Sequence, residues 1–224
     1  MNGIRSVKMA PSILNADFSD LRKAISYIED IADIIHLDVM DGNFVPNITF
    51  GPLVVRAVRS VTALPLDVHL MIAHPAEYVE DFVKAGADWI SFHAEVTRHP
   101  GEILGLIQSH GKKAGVVINP QTTADRLFGY LELMDFVLVM TVVPGFGGQK
   151  LIPEALSKVG ELKREAERQK TAIDVEVDGG VKTENLEMVV DAGADIVVVG
   201  SSIYAAPDPR QAALEIRNIL DEDR

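Results

Sequence analysis

Two imidazoles and two carboxylates stand at alternating positions in three short apolar runs. His36 and Asp38 are two residues apart in "IIHLDVM", His69 lies in "LPLDVHLMI", and Asp178 ends "DVEVD". Side chains at i and i+2 share one face of a strand. His36, Asp38 and Met40 therefore project to one side, and Ile35, Leu37 and Val39 to the other. The same alternation sets Asp67, His69 and Met71 against Leu66, Val68 and Leu70, and Asp174, Glu176 and Asp178 against Val175 and Val177. Buried charge is costly unless it is paired or bound to a metal. One such histidine alone reads as a satisfied core residue. Four polar groups on three strands, all facing the polar side, point instead to a mixed nitrogen and oxygen site for one divalent cation: Zn²⁺, Fe²⁺, Mn²⁺ or Co²⁺. His93 in "ISFHAE" faces the same way, but with four ligands already present it is expected to support or pack. His74 and His99 precede prolines and are expected in solvated loops.

A second kind of chemistry is written in glycine. "VMTVVPGFGGQ", residues 139–149, has three glycines in four positions, Gly145, Gly147 and Gly148, around Phe146. Backbone N–H groups in such a loop can approach an anion closely. "VDGGV" supplies Gly179 and Gly180, and "VVGSSIY" supplies Gly200 and Ser201 before a short extra helix, "SSIYAA". An anion held by backbone needs no lysine or arginine, which suits a chain whose net charge is −12. Met40, Met71 and Met140 fall at comparable strand ends and are expected to form an apolar, polarizable pocket wall.

These groups need a frame that gathers strand ends. Eight β-rich runs recur: "VKMAPSI", "DIIHLDVM", "LPLDVHLMI", "DWISFHAE", "KAGVVIN", "DFVLVM", "IDVEVDGG" and "DIVVVGSS". Helical stretches lie between them, among them "DFSDLRKAISYIED", "HPAEYVEDFVKAGA", "PEALSKVGELKREAERQK" and "DPRQAALEIRNILDEDR". Such alternation indicates βα units and a parallel sheet, and eight strands close a TIM (β/α)8 barrel. "KAGADWISFHAE" and "DAGADIVVVGSS" repeat one helix-end, turn and strand pattern 107 residues apart. An open doubly wound sheet would carry a glycine-rich loop after its first strand; here that strand runs into "APSILNADF". The expectation is a single α/β barrel domain over residues 1–224, with the site at the carboxyl ends of its strands, where barrels of this class keep it.

Composition narrows the setting. The chain has 224 residues, 47% hydrophobic, and no cysteine, which excludes disulfides, thiolate ligands and a cysteine nucleophile. No basic cluster marks a nucleic-acid partner, and no segment has the length of a membrane span. The opening "MNGIRSVKMAPSIL" lacks the apolar run of a signal peptide, so a cytoplasmic protein is expected.

Together "APSILNADF", "HLDVMDGNFVPNITFGP", "DVHLM", "VMTVVPGFGGQ", "EVDGGV" and "VVGSSIY" resemble the ribulose-phosphate 3-epimerase family in order and spacing, over nearly the whole chain. The resemblance implies a TIM barrel and a divalent metal on His36, Asp38, His69 and Asp178. It implies substrate contacts from Ser12, His69, Gly145, Phe146, Gly147, Gly148, Asp178, Gly179, Gly180, Gly200 and Ser201. It further implies a sugar-phosphate substrate and a homo-oligomer, dimer or hexamer. Val143 departs from the asparagine that the family commonly places before the Pro-Gly. The expected reaction inverts C3 of a ketose phosphate through an enediolate, with Asp38 and Asp178 as acid and base on opposite faces and the metal as Lewis acid. D-ribulose 5-phosphate and D-xylulose 5-phosphate would be interconverted. A hexulose-phosphate 3-epimerase acting on allulose 6-phosphate is the nearest alternative. A lyase or decarboxylase on the same barrel would want a lysine in the pore, and no strand end supplies one; a non-catalytic binder would not need two opposed aspartates.

Overall fold

A computed structural model describes residues 7–222. Residues 1–6 of the opening stretch and the last two residues of "DPRQAALEIRNILDEDR" lie outside the described residues. Eight parallel strands form the sheet: β1 (Lys8–Pro11), β2 (Ile35–Met40), β3 (Leu66–Met71), β4 (Trp89–His93), β5 (Lys113–Ile118), β6 (Phe136–Met140), β7 (Asp174–Asp178) and β8 (Ile196–Val199). Continuous ladders run from β2 through to β8 and on to β1. Between β1 and β2 the contact reduces to a single bridge, Ser12 to His36, with Met9 accepting from the amides of Asp33 and Ile34. The result is the nearly closed TIM barrel that the strand count predicts.

The helices are α1 (Leu21–Ser26), α2 (Pro52–Arg59), α3 (Val79–Ala85), α4 (Pro100–Ser109), α5 (Ser157–Gln169), α6 (Leu186–Asp191), α7 (Ser201–Tyr204) and α8 (Pro209–Asp221). Their ends follow local chemistry. Asp20 caps α1 by accepting from Lys23 N–H, and Asp208 caps α8 by accepting from Gln211 N–H. Gly86 ends α3 in the left-handed region, at φ 108°, where glycine carries no Cβ penalty. The connection from β5 to β6 is 3₁₀ helix, Ala124–Leu133, which the sequence patterning did not single out. No helix among the described residues is long and apolar enough to cross a membrane.

Strand alternation sorts the side chains as expected. Ile35, Leu37, Val39, Leu66, Val68, Leu70, Val175 and Val177 join the large apolar layer under the helices. A second apolar cluster lines the inside of the barrel: Ala10, Ile34, Trp89, Val117, Phe136, Leu138, Met140, Val142, Ile196 and Val198. At the amino-terminal end Trp89 and Phe136 pack at 5.2 Å between ring centroids. The Phe136 ring fills the space where a Cβ on Gly115 would sit, with ring carbons as close as 2.5 Å, so a glycine is required there. Lys8 and Lys113 open β1 and β5 and lie 5.6 and 4.1 Å from the Trp89 ring, at the mouth opposite the carboxyl strand ends.

Candidate functional site

The register of β2 against β3 decides the site. Asp38 pairs with His69 and His36 with Asp67, so an imidazole and a carboxylate stand side by side at two successive levels. His69 Nδ1 is 3.2 Å from Asp38 Oδ1, and His36 Nε2 is 3.4 Å from the same oxygen. Asp178 reaches this point from β7. His36, Asp38, His69 and Asp178 each offer a ligand atom, all within 4.8 Å of one another. The four predicted residues do converge.

They do not all sit where strand ends suggest. His36 is the second residue of β2 and lies a level deeper than Asp38. His36 and His69 are fully buried and form no part of the cavity surface, whereas Asp38 and Asp178 reach it. That cavity opens at the carboxyl mouth. It is lined by Ser12, Asn15, Asp38, Met40, Met71, Met140, residues 144–149, 178–181, Gly200 and Ser201. All three methionines therefore form wall, Met40 and Met71 packing with Val45. His93 is buried against His69, and His74 and His99 are exposed, as their contexts indicate.

Hydrogen bonds hold the two aspartates. Ser12 Oγ donates to Asp38 Oδ2 at 2.5 Å and accepts from Leu14 N–H. Thr49 Oγ1 donates to Asp38 O at 2.7 Å, fixing the end of β2. Thr141 donates to the carbonyls of Asp178 and Gly179 at 3.0 and 2.6 Å. Asp41 accepts from the amides of Asn43, Phe44 and Ala73, tying the β2 loop to the end of β3. Thr49 and Thr141 carry no sequence pattern that distinguishes them from ordinary loop residues.

Below these lies a layer the sequence exposed as inward-facing without giving it a role. Asp67 Oδ2 is 2.6 Å from His36 Nδ1, and Glu176 Oε1 is 3.5 Å from the same nitrogen. Burial pushes Glu176 up to about 8, reinforced by Asp67. Burial likewise drives Asp178 up, to about 7, with the Asp38 charge adding to it. Asp38 moves the other way: burial opposes ionisation, but the His36 charge and the close approach of both imidazoles outweigh it. His36, flanked by Asp38 and Asp67, is favoured as a cation despite its burial. The cluster is thus a pocket of carboxylates that attracts positive charge. His36 Nε2 has no hydrogen-bond partner, which leaves a buried donor atom facing the point where the other three groups meet.

The glycine loops meet above this floor. Gln149 Nε2 donates to Val143 O at 2.7 Å and Phe146 O at 2.8 Å, and Asn47 Nδ2 donates to Gly145 O at 2.8 Å. Val143 thus contributes its carbonyl to the loop while its side chain is exposed. A Cβ on Gly147 would stand 2.5 Å from Oδ1 at the tip of the Asn15 side chain, whereas one on Gly180 would stand 2.3 Å from Leu151 N, backbone that leaves no room for a side chain. Ser201 opens α7, whose first amides have no partners inside the helix.

The profile of the ribulose-phosphate 3 epimerase family matches residues 8–204. Ribulose-phosphate 3-epimerase of Bacillus subtilis (strain 168) is 52% identical over 213 residues, 94% of this chain and 98% of that protein. The chain belongs to the ribulose-phosphate 3-epimerase family. The family member from Escherichia coli (strain K12) is 44% identical over 95% of both chains. The chloroplastic ribulose-5-phosphate-3-epimerase of Arabidopsis thaliana is 46% identical over 93% of this chain and 75% of its own length. A solved 3-hexulose-6-phosphate synthase superposes at a TM-score of 0.74 over 95% of this chain and 99% of its own, at 22% identity, a likeness of barrel fold alone.

Proposed function

We propose that this protein interconverts D-ribulose 5-phosphate and D-xylulose 5-phosphate by inverting the configuration at C3. The observation that carries the reading is the convergence of Asp38 and Asp178, from β2 and β7, on one point beside two buried imidazoles. Inversion needs one group to remove the C3 proton and another to return a proton to the opposite face of the planar intermediate. Two carboxylates from separate walls of the barrel supply that pair. Their environments also part them: the His36 charge holds Asp38 low, whereas burial and the Asp38 charge raise Asp178 to about 7.

The donor set fits a divalent cation: two imidazoles, two carboxylates, and the unpartnered His36 Nε2. His36, Asp38, His69 and Asp178 would hold it, and borderline ions such as Zn²⁺, Fe²⁺, Mn²⁺ or Co²⁺ suit such ligands. Bound there, it would supply a Lewis acid for the enediolate oxygens. Ser12 orients Asp38, the methionines cover the reacting carbons with apolar surface, and the loop at 144–149 excludes water. Gly179, Gly180, Gly200 and Ser201 offer backbone to the phosphate.

Proton exchange in heavy water tests the reading. Asp178→Asn and Asp38→Asn should each lose net epimerisation by about 10²–10⁴-fold. Each should still exchange the C3 hydrogen of one epimer, and the two variants should choose opposite epimers. Equal residual exchange from both sugars in each variant would sink the two-base assignment.

A further inference from the structure

Behind His69 runs a line of side chains that substrate does not reach. His69 Nε2 lies 2.9 Å from His93 Nε2. On its far side His93 Nδ1 lies 3.3 Å from Glu95 Oε2. The other carboxylate oxygen accepts from the Asn119 backbone N–H at 3.0 Å and from the Thr122 hydroxyl. Both imidazoles are fully buried, and the Glu95 side chain is 21% exposed at the rim.

Each contact assigns a proton. Two ring nitrogens 2.9 Å apart hold one hydrogen between them, so one donates and one accepts. An ionised carboxylate only accepts. Facing Glu95, His93 therefore carries its hydrogen on Nδ1, and as a neutral ring it accepts at Nε2. His69 then donates from Nε2, which leaves His69 Nδ1 as a lone pair. That is the atom 3.2 Å from Asp38 Oδ1, at the meeting point of the four donors. His36 faces the same point with its other nitrogen, because Asp67 lies 2.6 Å from its Nδ1 and leaves Nε2 free.

The geometry points to His93 and Glu95 as positioning residues of the cation site: one carboxylate, acting through two imidazoles in series, sets which nitrogen of His69 is free to ligate. The inference rests on the reading of His69 as a cation ligand. A carboxylate bonded directly to a ligating imidazole is common in metal sites. Here a second ring stands between them, so the instruction reaches His69 from Glu95 through two hydrogen bonds.

Glu95→Gln reverses the instruction with almost no change of shape. The Asn119 N–H can only donate, so the new amide keeps its oxygen there and turns its NH₂ toward His93 Nδ1. His93 must then accept at Nδ1 and donate from Nε2. His69 must accept at Nε2, and its hydrogen moves to Nδ1, the ligating atom. Two measurements read this. One is Zn²⁺ affinity of the purified parent and E95Q proteins, by competition with a chromophoric chelator. The other is the histidine tautomers, by long-range ¹H–¹⁵N NMR on Zn²⁺-loaded parent and metal-free E95Q. We expect the loaded parent to carry hydrogen on His69 Nε2 and His93 Nδ1, and metal-free E95Q to carry it on His93 Nε2. Zn²⁺ affinity should fall about 10–100-fold in E95Q. A loaded parent protonated at His93 Nε2 overturns the inference. So does an E95Q protein that binds Zn²⁺ as the parent does, and in that case the metal reading stands. A parent that binds no Zn²⁺ overturns both.

Discussion

Ser12 and Asp38 meet across the one junction of the barrel that has no ladder, the Ser12 hydroxyl donating to the Asp38 carboxylate at 2.5 Å. The bond is charge-assisted and buried, so it positions the carboxylate and closes the sheet together. Ser12→Ala removes it along with the acceptor for Leu14 N–H. A hydrogen bond to a charged group contributes about 1.5–3 kcal/mol. If that stabilisation is used in the transition state, kcat/KM should fall roughly 10–100-fold. Steady-state kinetics decide it, and an unchanged kcat/KM would show that Asp38 keeps its place without the serine.

The glycines of the mouth should differ sharply among themselves. Gly180 and Gly148 both have φ near +70°, but a Cβ on Gly180 meets backbone at 2.3 Å whereas one on Gly148 meets nothing within 4 Å. Gly148→Ala should therefore cost only the left-handed strain, about 1–2 kcal/mol. Gly180→Ala must displace the segment around Leu151 and should destabilise the fold by clearly more. Gly147→Val, pressed against Asn15, should raise KM for ribulose 5-phosphate with little change in stability. Urea unfolding and kinetics on the three variants together check the ordering, which equal effects would contradict.

Chelation should abolish turnover and leave the barrel folded. His69→Ala should do the same, since it removes one of the four donors while the apolar layer under the helices stays intact. Elemental analysis, far-UV circular dichroism and activity on the same samples give the answer. A preparation shown to be metal-free yet fully active would refute the cation site.

Glu95 predicts an acid-sensitive term in stability. Burial pushes its carboxyl up, but hydrogen bonds from His93, Thr122 and Asn119 outweigh it and hold the group at about 2, below its usual 4.5. Lys158, which bonds the carbonyls of Asn119 and Pro120, is the cation nearby. A carboxylate depressed by folding stabilises the native state above its unfolded value and loses that contribution as pH falls through the folded one. In chelator, parent protein should exceed Glu95→Gln in unfolding free energy by a margin that is constant above about pH 5 and shrinks toward pH 2. A margin that does not change with pH would assign the effect to packing.

Strand period made the inward set legible, because a polar residue at every second position of an apolar run has one physical reading in a parallel barrel. The glycine loops were legible because few other residues fit a positive φ or a backbone within 3 Å. The depth of His36 was not, since periodicity gives a face but no height along the barrel axis. Nor were the partners of the imidazoles. Asp67 stands beside His36 and Asp38 beside His69 only through the β2–β3 register, which no single strand encodes. Glu95 reaches His93 from just beyond the end of β4, and the Asn119 amide meets it from the β5 loop, a meeting of two connections that sequence spacing leaves open. The 3₁₀ connection at 124–133 shows neither a strand's alternation nor a strong α-helical stop and start.

The Trp89 and Phe136 plug makes the barrel a blind-ended vessel. With indole and phenyl rings packed at a tilt across its base and two lysines over the outside, nothing the size of a sugar passes through. Arrival and departure share one doorway, the one framed by residues 144–149. A fresh sugar therefore waits until the last has left, and the traffic is single-file in both directions of the reaction. In such a vessel every exchange with solvent has to pass the glycine loop at the threshold.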